Sequence, residues 1–254
     1  MIAQYRFSIE PPDSRPVSAS QAYPLYAWLL AQVPAAYSDA LHRQGEKPIS
    51  QYLCVPGKLT SEKSSPGKSA LPIWTVSCLN EEAYKTLEPV LQNLHEIPLH
   101  SGILKASLLD SQTIPSIGDL TDRARKETET PFFRLSFCSP TAFKHDGQYV
   151  IFPEKHLLIQ SLVEKWDSVF PAYPLHDVEM LETLEAGVKI VDYRLHSCRF
   201  PLKNVRIPGF IGQITIQARL VPPLMEVWKS LVYFSAFSGI GIKTTLGMGG
   251  IQIF

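Results

Sequence analysis

The sequence lacks most features that announce a function. It has no bulk charge of either sign: Lys+Arg and Asp+Glu both number 24 among 254 residues, so net charge selects no class of partner. No apolar run reaches the roughly 18 residues of a membrane span. The N-terminal stretch MIAQYRFSIE has no apolar core of the kind a signal peptide carries. Cysteine is sparse. Cys54, Cys78, Cys138 and Cys198 stand far apart without C-x-x-C spacing, which argues against a thiolate zinc site and reads as reduced core thiols in a cytoplasmic protein. His95, Glu96 and His100 miss H-E-x-x-H because the second His comes one place late, and Pro98 breaks the helix that this motif needs. No carboxylate cluster suggests a Mg²⁺ nuclease, so the expectation is no metal and no cofactor. A Walker loop is missing as well.

The chain does carry enough apolar residues, 45% of the total, to build a real core. Tyr5, Phe7 and Ile9 alternate with Arg6 and Ser8, the period of a half-buried strand. A helical stretch begins near Ser20, carries Leu25, Leu29 and Leu30, and is interrupted by Pro34. Strands follow over about 49–56 and 70–79, with the polar connection GKLTSEKSSPGK between them. Asn80 caps a helix whose first turn holds Glu81 and Glu82. A strand near 99–109 closes a β-α-β-β-α-β set. After a charged linker helix over 116–130 the pattern starts again: Phe133, Leu135 and Phe137 alternate, and a helix spans about 155–169. Two strands follow near 187–199 and 210–220, then a helix after Pro222-Pro223 and a last strand, GIQIF. The expected architecture is α+β, with two ferredoxin-like (RRM-like) β-α-β-β-α-β domains over 1–115 and 131–254.

The second half carries the features that point to a ligand. From Arg194 to the end there are seven basic residues (Arg194, Arg199, Lys203, Arg206, Arg219, Lys229, Lys243) against one acid, Glu226, a local electrostatic footprint. At strand spacing Arg194, His196 and Arg199 cannot all share a face. Residues 239–250 read GIGIKTTLGMGG. This is no dinucleotide fingerprint, because Thr244 stands where the third glycine belongs. One glycine would suffice for a helix C-cap, and Gly239 serves as that. Gly241, Gly247 and Gly249 exceed that need. Such glycines allow close backbone approach and present N–H groups to an anion, and Lys243, Thr244 and Thr245 lie between the pairs.

The element SAFSGIGIKTTLGMGG resembles the C-terminal glycine-rich loop, G-h-G-x-x-x-x-x-G-h-G with h apolar, of the CRISPR repeat endoribonucleases of the repeat-associated mysterious protein (RAMP) superfamily. LSFCSPTAFK (135–144) with FPEKHLLIQSLVEKW (152–166), and ALHRQGEKPIS (40–50), resemble two further stretches of that family. The resemblance implies tandem ferredoxin-like domains, CRISPR repeat RNA as the partner, and other CRISPR effector subunits as candidate partners of a monomer or homodimer. It also implies metal-free cleavage, in which the 2′-OH attacks the adjacent phosphate with the help of a base, an acid and a cation. His42 and Lys47 match the family's Leu-His and Lys-Pro positions. Its tyrosine lies upstream on the first helix, where Tyr26 is the nearest match and Tyr23 and Tyr37 are rivals. The expected RNA contacts are Gly239, Gly241, Lys243, Thr244, Thr245, Gly247 and Gly249 of the loop, with Arg194, Arg199, Lys203 and Arg206. Two alternatives stay open: a relative that binds guide RNA without cutting it, and a structural subunit of an effector complex.

Overall fold

The computed structural model describes residues 1–11, 17–43, 45–55, 71–127 and 130–254, apart from the side chain of His42. The polar connection expected at 57–68 lies outside the described residues.

The first half opens with β1 (Ile2–Glu10), whose alternating Tyr5, Phe7 and Ile9 are buried as its period requires. Two helices follow, α1 (Ala22–Ala31) and α2 (Ala35–Arg43), separated where Pro34 ends the first. Then come β2 (Ile49–Cys54), β3 (Ile73–Cys78) and α3 (Glu81–Gln92). Asn80 caps α3 by accepting the N–H of Ala83 at 2.8 Å. Where one strand was expected near 99–109, the chain makes a tight antiparallel pair, β4 (Glu96–Leu99) and β5 (Gly102–Ile114). The polar end of β5, Ser107 to Thr113, has no hydrophobic period to read. It is a strand because its backbone pairs with β1. The sheet is antiparallel, in the order β2-β3-β1-β5-β4.

The expected linker helix is α4 (Ile117–Glu127), and it is no free tether. Leu120 and Ala124 are fully buried in the core of the second half, and Arg125 Nε lies 2.8 Å from the Glu226 carboxylate. The second half runs through β6 (Phe132–Thr141), the short hairpin β7 (Phe143–His145) and β8 (Gln148–Val150), and α5 (Lys155–Val169). It continues with α6 (Val178–Gly187), β9 (Val188–Leu202), β10 (Val205–Ala218), α7 (Pro222–Ser238) and β11 (Ile251–Ile253). Its main sheet is antiparallel, in the order β11-β6-β10-β9. The hairpin β9–β10 is longer than its hydrophobic pattern suggests, because the middle of β9, residues 189–199, has no buried residue and is carried by strand pairing that runs from Val188↔Ala218 to Leu202↔Val205.

Each half has its own core, and a third small cluster joins them. Phe200, Leu202 and Ile207 near the end of the β9–β10 hairpin pack with Ala142 and Met248, against Tyr23 of α1 and Leu246. The seam between the halves is polar as well as apolar. Ser50 donates to the Phe237 carbonyl, and Gln4 Nε2 donates to the Ala236 carbonyl at 2.7 Å. The thiols of Cys54 and Cys138, far apart in sequence, come together at this seam, where each shifts the other's ionisation, Cys54 downward and Cys138 upward. No helix among the described residues is long and apolar enough to cross a membrane.

Candidate functional site

The glycine-rich loop is fixed by backbone geometry. Gly239 ends α7 at φ 71°, and Gly241, Gly247 and Gly249 also have positive φ, at 80°, 110° and 71°. Space is as restrictive as torsion. A Cβ at Gly241 would lie 2.4 Å from the Ala142 carbonyl oxygen, one at Gly249 2.2 Å from the Ile240 oxygen, and one at Gly247 2.3 Å from the Ala22 Cβ on α1. The expectation that these glycine amides face an anion needs correction. The Gly239 N–H donates to the Ser235 carbonyl, Gly241 to Ser161 Oγ at 2.8 Å, and Gly249 to the Pro140 carbonyl at 3.0 Å. These glycines let the chain pack closely, and the N–H groups of Gly239, Gly241 and Gly249 are used up in doing so.

The loop is also tied to the first half. Gln51 of β2 is buried, and its Nε2 donates to the carbonyls of Ala22 and Thr245, each at 3.0 Å. Its Oε1 accepts the indole N–H of Trp74 at 2.9 Å. Thr245 Oγ1 donates to the Ile49 carbonyl at 3.0 Å. This network holds the 3-10 turn Thr244–Leu246 beside α1 and β2.

Two cavities open on either side of that turn. One, of about 640 Å³, is bounded by Tyr23, Tyr26, Ser38, Lys47, Lys203 and Leu246. The other, of about 420 Å³, lies between the loop, α5 and the segment 45–47. Lys47 borders both. Of the expected catalytic residues, Tyr26 and Lys47 therefore meet in one cavity. Tyr26 is 4% exposed, and its hydroxyl has no hydrogen-bond partner among the described residues. Burial pushes its pKa up to about 12, so at neutral pH it is a phenol that donates a proton in a hydrogen bond. His42 follows Ser38 by four positions on α2, one helical turn on; its side chain lies outside the described residues. The rivals separate. Tyr23 borders the same cavity, whereas the buried Tyr37 does not, and burial raises its pKa.

Of the expected basic contacts, Lys203 stands at the β9–β10 turn with left-handed backbone, φ 52°, and its ammonium lies 5.6 Å from the centre of the Tyr23 ring. Arg194, Arg199 and Arg206 are exposed on the hairpin. The register pairs Arg199 with Pro208 and Arg206 with Pro201, so these two arginines share a face that Arg194 does not. Lys243, Thr244 and Thr245 border the smaller cavity. Lys144 and Lys165, which also border it, were missed. The signal for Lys165 was available: with Leu158 and Leu162 it follows the i, i+4, i+7 spacing of the buried face of α5. A lysine on a core face asks for an explanation. The near-miss histidine motif resolves into the strand β4 at Glu96–Leu99.

Comparison with known proteins agrees with this geometry. The family model of the CRISPR-associated endoribonuclease Cas6 matches residues 135–251. A curated CRISPR-associated endoribonuclease Cas6 of Streptococcus thermophilus is 29% identical over 234 residues, covering 91% of this chain and 90% of that protein. The Cas6 of Mycobacterium tuberculosis (strain CDC 1551 / Oshkosh) is 29% identical over 251 residues, covering 96% of this chain and 75% of its own. Among solved structures, a Cas6 product complex superposes with a TM-score of 0.74 at 21% identity over the whole of both chains. A RAMP protein that binds different RNA substrates does so with a TM-score of 0.60 at 14% identity, covering 100% of this chain and 99% of that one. The match over residues 135–251, the likeness along nearly the full length and the shared fold together make this chain similar to the CRISPR-associated endoribonucleases Cas6.

Proposed function

We propose that the protein is a metal-independent endoribonuclease that cleaves CRISPR repeat RNA into guide units. The observation that carries this reading is the shared cavity. Lys47 and the unpartnered hydroxyl of Tyr26 border one space with Lys203 and with Leu246 of the glycine-rich loop, although they lie in four separate stretches of sequence. Relatives named as CRISPR-associated endoribonucleases, and a related solved structure that is a product complex, support the same class of activity. The architecture supports it too. Each half has the strand order of a ferredoxin-like unit, with β4 added to the first sheet, which supports domains over 1–115 and 131–254, the segment 116–130 between them packing on the second through α4.

In this mechanism the 2′-hydroxyl attacks the adjacent phosphorus, forming the new P–O bond as the bond to the 5′-oxygen of the next nucleotide breaks. The products are a 2′,3′-cyclic phosphate and a 5′-hydroxyl. His42 exchanges the proton, as the base that takes it from the 2′-oxygen or the acid that delivers it to the leaving 5′-oxygen. Lys47 neutralises the charge that builds on the phosphorane, where a cation in a partly desolvated cavity acts most strongly. Tyr26, kept protonated by burial, donates a hydrogen bond to a phosphate oxygen and orients it. The basic hairpin and Lys243 hold the backbone of the RNA, which supplies affinity and leaves sequence or hairpin choice to other contacts. Lys47→Ala tests the assignment. Cleavage of repeat RNA, followed under single-turnover conditions, falls by about 10²-fold or more while RNA affinity changes little. Undiminished cleavage would remove Lys47 from the site.

One observation favours a second role alongside cleavage. Phe152 and Tyr193, 45% and 58% exposed, meet edge to face at 5.7 Å beside exposed Tyr149, Ile151 and Val191. An apolar patch of this kind suits a partner protein such as another effector subunit. Phe152→Ser that still cuts RNA but no longer co-purifies with effector subunits is the outcome this role predicts.

A further inference from the structure

Lys165 is the one lysine of the smaller cavity that is buried, at 8% exposure. Its ammonium donates to Thr244 Oγ1 at 3.1 Å and forms no ion pair with any carboxylate among the described residues. An ammonium has three donors, and burying it with a single neutral acceptor is costly. Desolvation accordingly lowers its pKa. Three more lysines, Lys47, Lys144 and Lys243, border the same cavity of about 420 Å³. The carboxylates beside it are Glu46 and Glu164, both exposed, and Glu164 accepts a hydrogen bond from Gln160 at 2.7 Å. Four lysines against two exposed carboxylates, with the innermost lysine buried and in no ion pair among the described residues, give this small cavity an excess of positive charge that suits an anion.

We propose that this cavity takes a phosphodiester of the bound RNA next to the scissile one, with Lys165 at its floor and Lys144 and Lys243 at its rim. The proposal rests on the reading of the protein as a repeat-RNA endoribonuclease. Its geometric basis is Lys47, which borders both cavities: a strand that lays its scissile phosphate beside Tyr26 and Lys47 carries a neighbouring phosphate past the 3-10 turn into the smaller cavity. Lys165 then acts twice. It neutralises that phosphate, and through Thr244 it couples the occupied cavity to the turn that carries Leu246.

The test replaces single phosphates of repeat RNA by uncharged methylphosphonates, linkage by linkage around the cut, on 2′-deoxy sugars that keep the RNA whole. The affinity of the wild-type protein and of Lys165→Met is measured for each. The expected result is one flanking linkage at which neutralisation weakens wild-type binding about tenfold, whereas Lys165→Met, already weaker with native RNA, loses nothing more there. If Lys165→Met does not fold, Lys144→Ala, at an exposed position, is read in the same way. Sensitivity that is unchanged in the variant at every linkage would reduce Lys165 to a prop for Thr244 and overturn the proposal. Wild-type protein that binds and cuts native RNA but ignores every flanking methylphosphonate overturns the subsite and leaves the nuclease reading standing. Protein that neither binds nor cuts RNA fails at the nuclease reading itself. Saturation by inorganic phosphate in wild type but not in Lys165→Met, with no sensitive linkage, assigns the cavity to a free anion and likewise overturns the RNA subsite.

Discussion

Gln51 concentrates in one buried side chain what joins α1, β2, β3 and the glycine-rich loop. Its amide satisfies two carbonyls and one indole N–H. Gln51→Leu keeps most of the volume and takes this partner from the Thr245 carbonyl and the Trp74 indole N–H, which costs about 1–3 kcal/mol for each buried group left unpaired. A lowered denaturation midpoint with slowed cleavage is expected, and an unchanged midpoint would show that the groups find other partners. His42 is the residue whose function rests most on sequence. The spacing of five to Lys47 and the Leu-His and Lys-Pro pairs single it out. His42→Ala is expected to slow cleavage by about 10²–10⁴-fold, the range of a general acid or base, with RNA affinity nearly unchanged. Wild-type rates would send the search to the other histidines. Lys47 and Tyr26 were readable in the same way, through pattern and resemblance. Lys165 was readable only in part: periodicity puts it on a buried face of α5, but the cavity and the three other lysines come from remote segments that local sequence does not bring together.

At the scale of elements, the glycine-rich loop separates what spacing reveals from what it hides. The Gly-apolar-Gly pairs are evident in the sequence. Which amides are free is a tertiary property, and here the amides of Gly239, Gly241 and Gly249 are internally bonded. Gly247→Val is therefore expected to act through α1. Its branched side chain would meet the Ala22 Cβ at a backbone φ of 110°, and the overpacking costs about 1–3 kcal/mol, read as a lower melting temperature with weaker cleavage. Lys243→Ala differs in kind. Lys243 is exposed at the rim, so the fold should be unaffected, and the slope of log affinity against log salt should fall by roughly 0.7–0.9 as one phosphate contact is lost. A normal melt for the valine variant, or an unaltered slope for the alanine variant, would contradict the respective role. The long β9–β10 hairpin and the β4–β5 pair were legible only as approximate strands, because hydrogen bonding to neighbours extends them past the point where apolar alternation stops.

For the whole molecule, the α+β class and the recurrence of a similar element order in both halves were legible from periodicity and punctuation by proline and glycine. The way the halves meet was not. Sequence gives no hint that Ser50 and Gln51 of β2 bond to α7 and to the glycine-rich loop, or that α4 belongs to the second core through Leu120 and Ala124. That junction creates the cavity in which Lys47 and Tyr26 of the first half face Lys203 and Leu246 of the second. We propose that this composite cavity promotes attack by the RNA's own 2′-hydroxyl with no metal ion. The most direct measurement is incubation of the protein with repeat RNA in excess EDTA, with the product ends mapped. The substrate is used both native and with 2′-deoxy at the nucleotide 5′ of the cut. The expected result is cleavage of the native RNA in EDTA to 2′,3′-cyclic phosphate and 5′-hydroxyl ends, with the deoxy substrate bound and left whole. Cleavage abolished by EDTA and restored by Mg²⁺, or a deoxy substrate cut at the native rate, would contradict it.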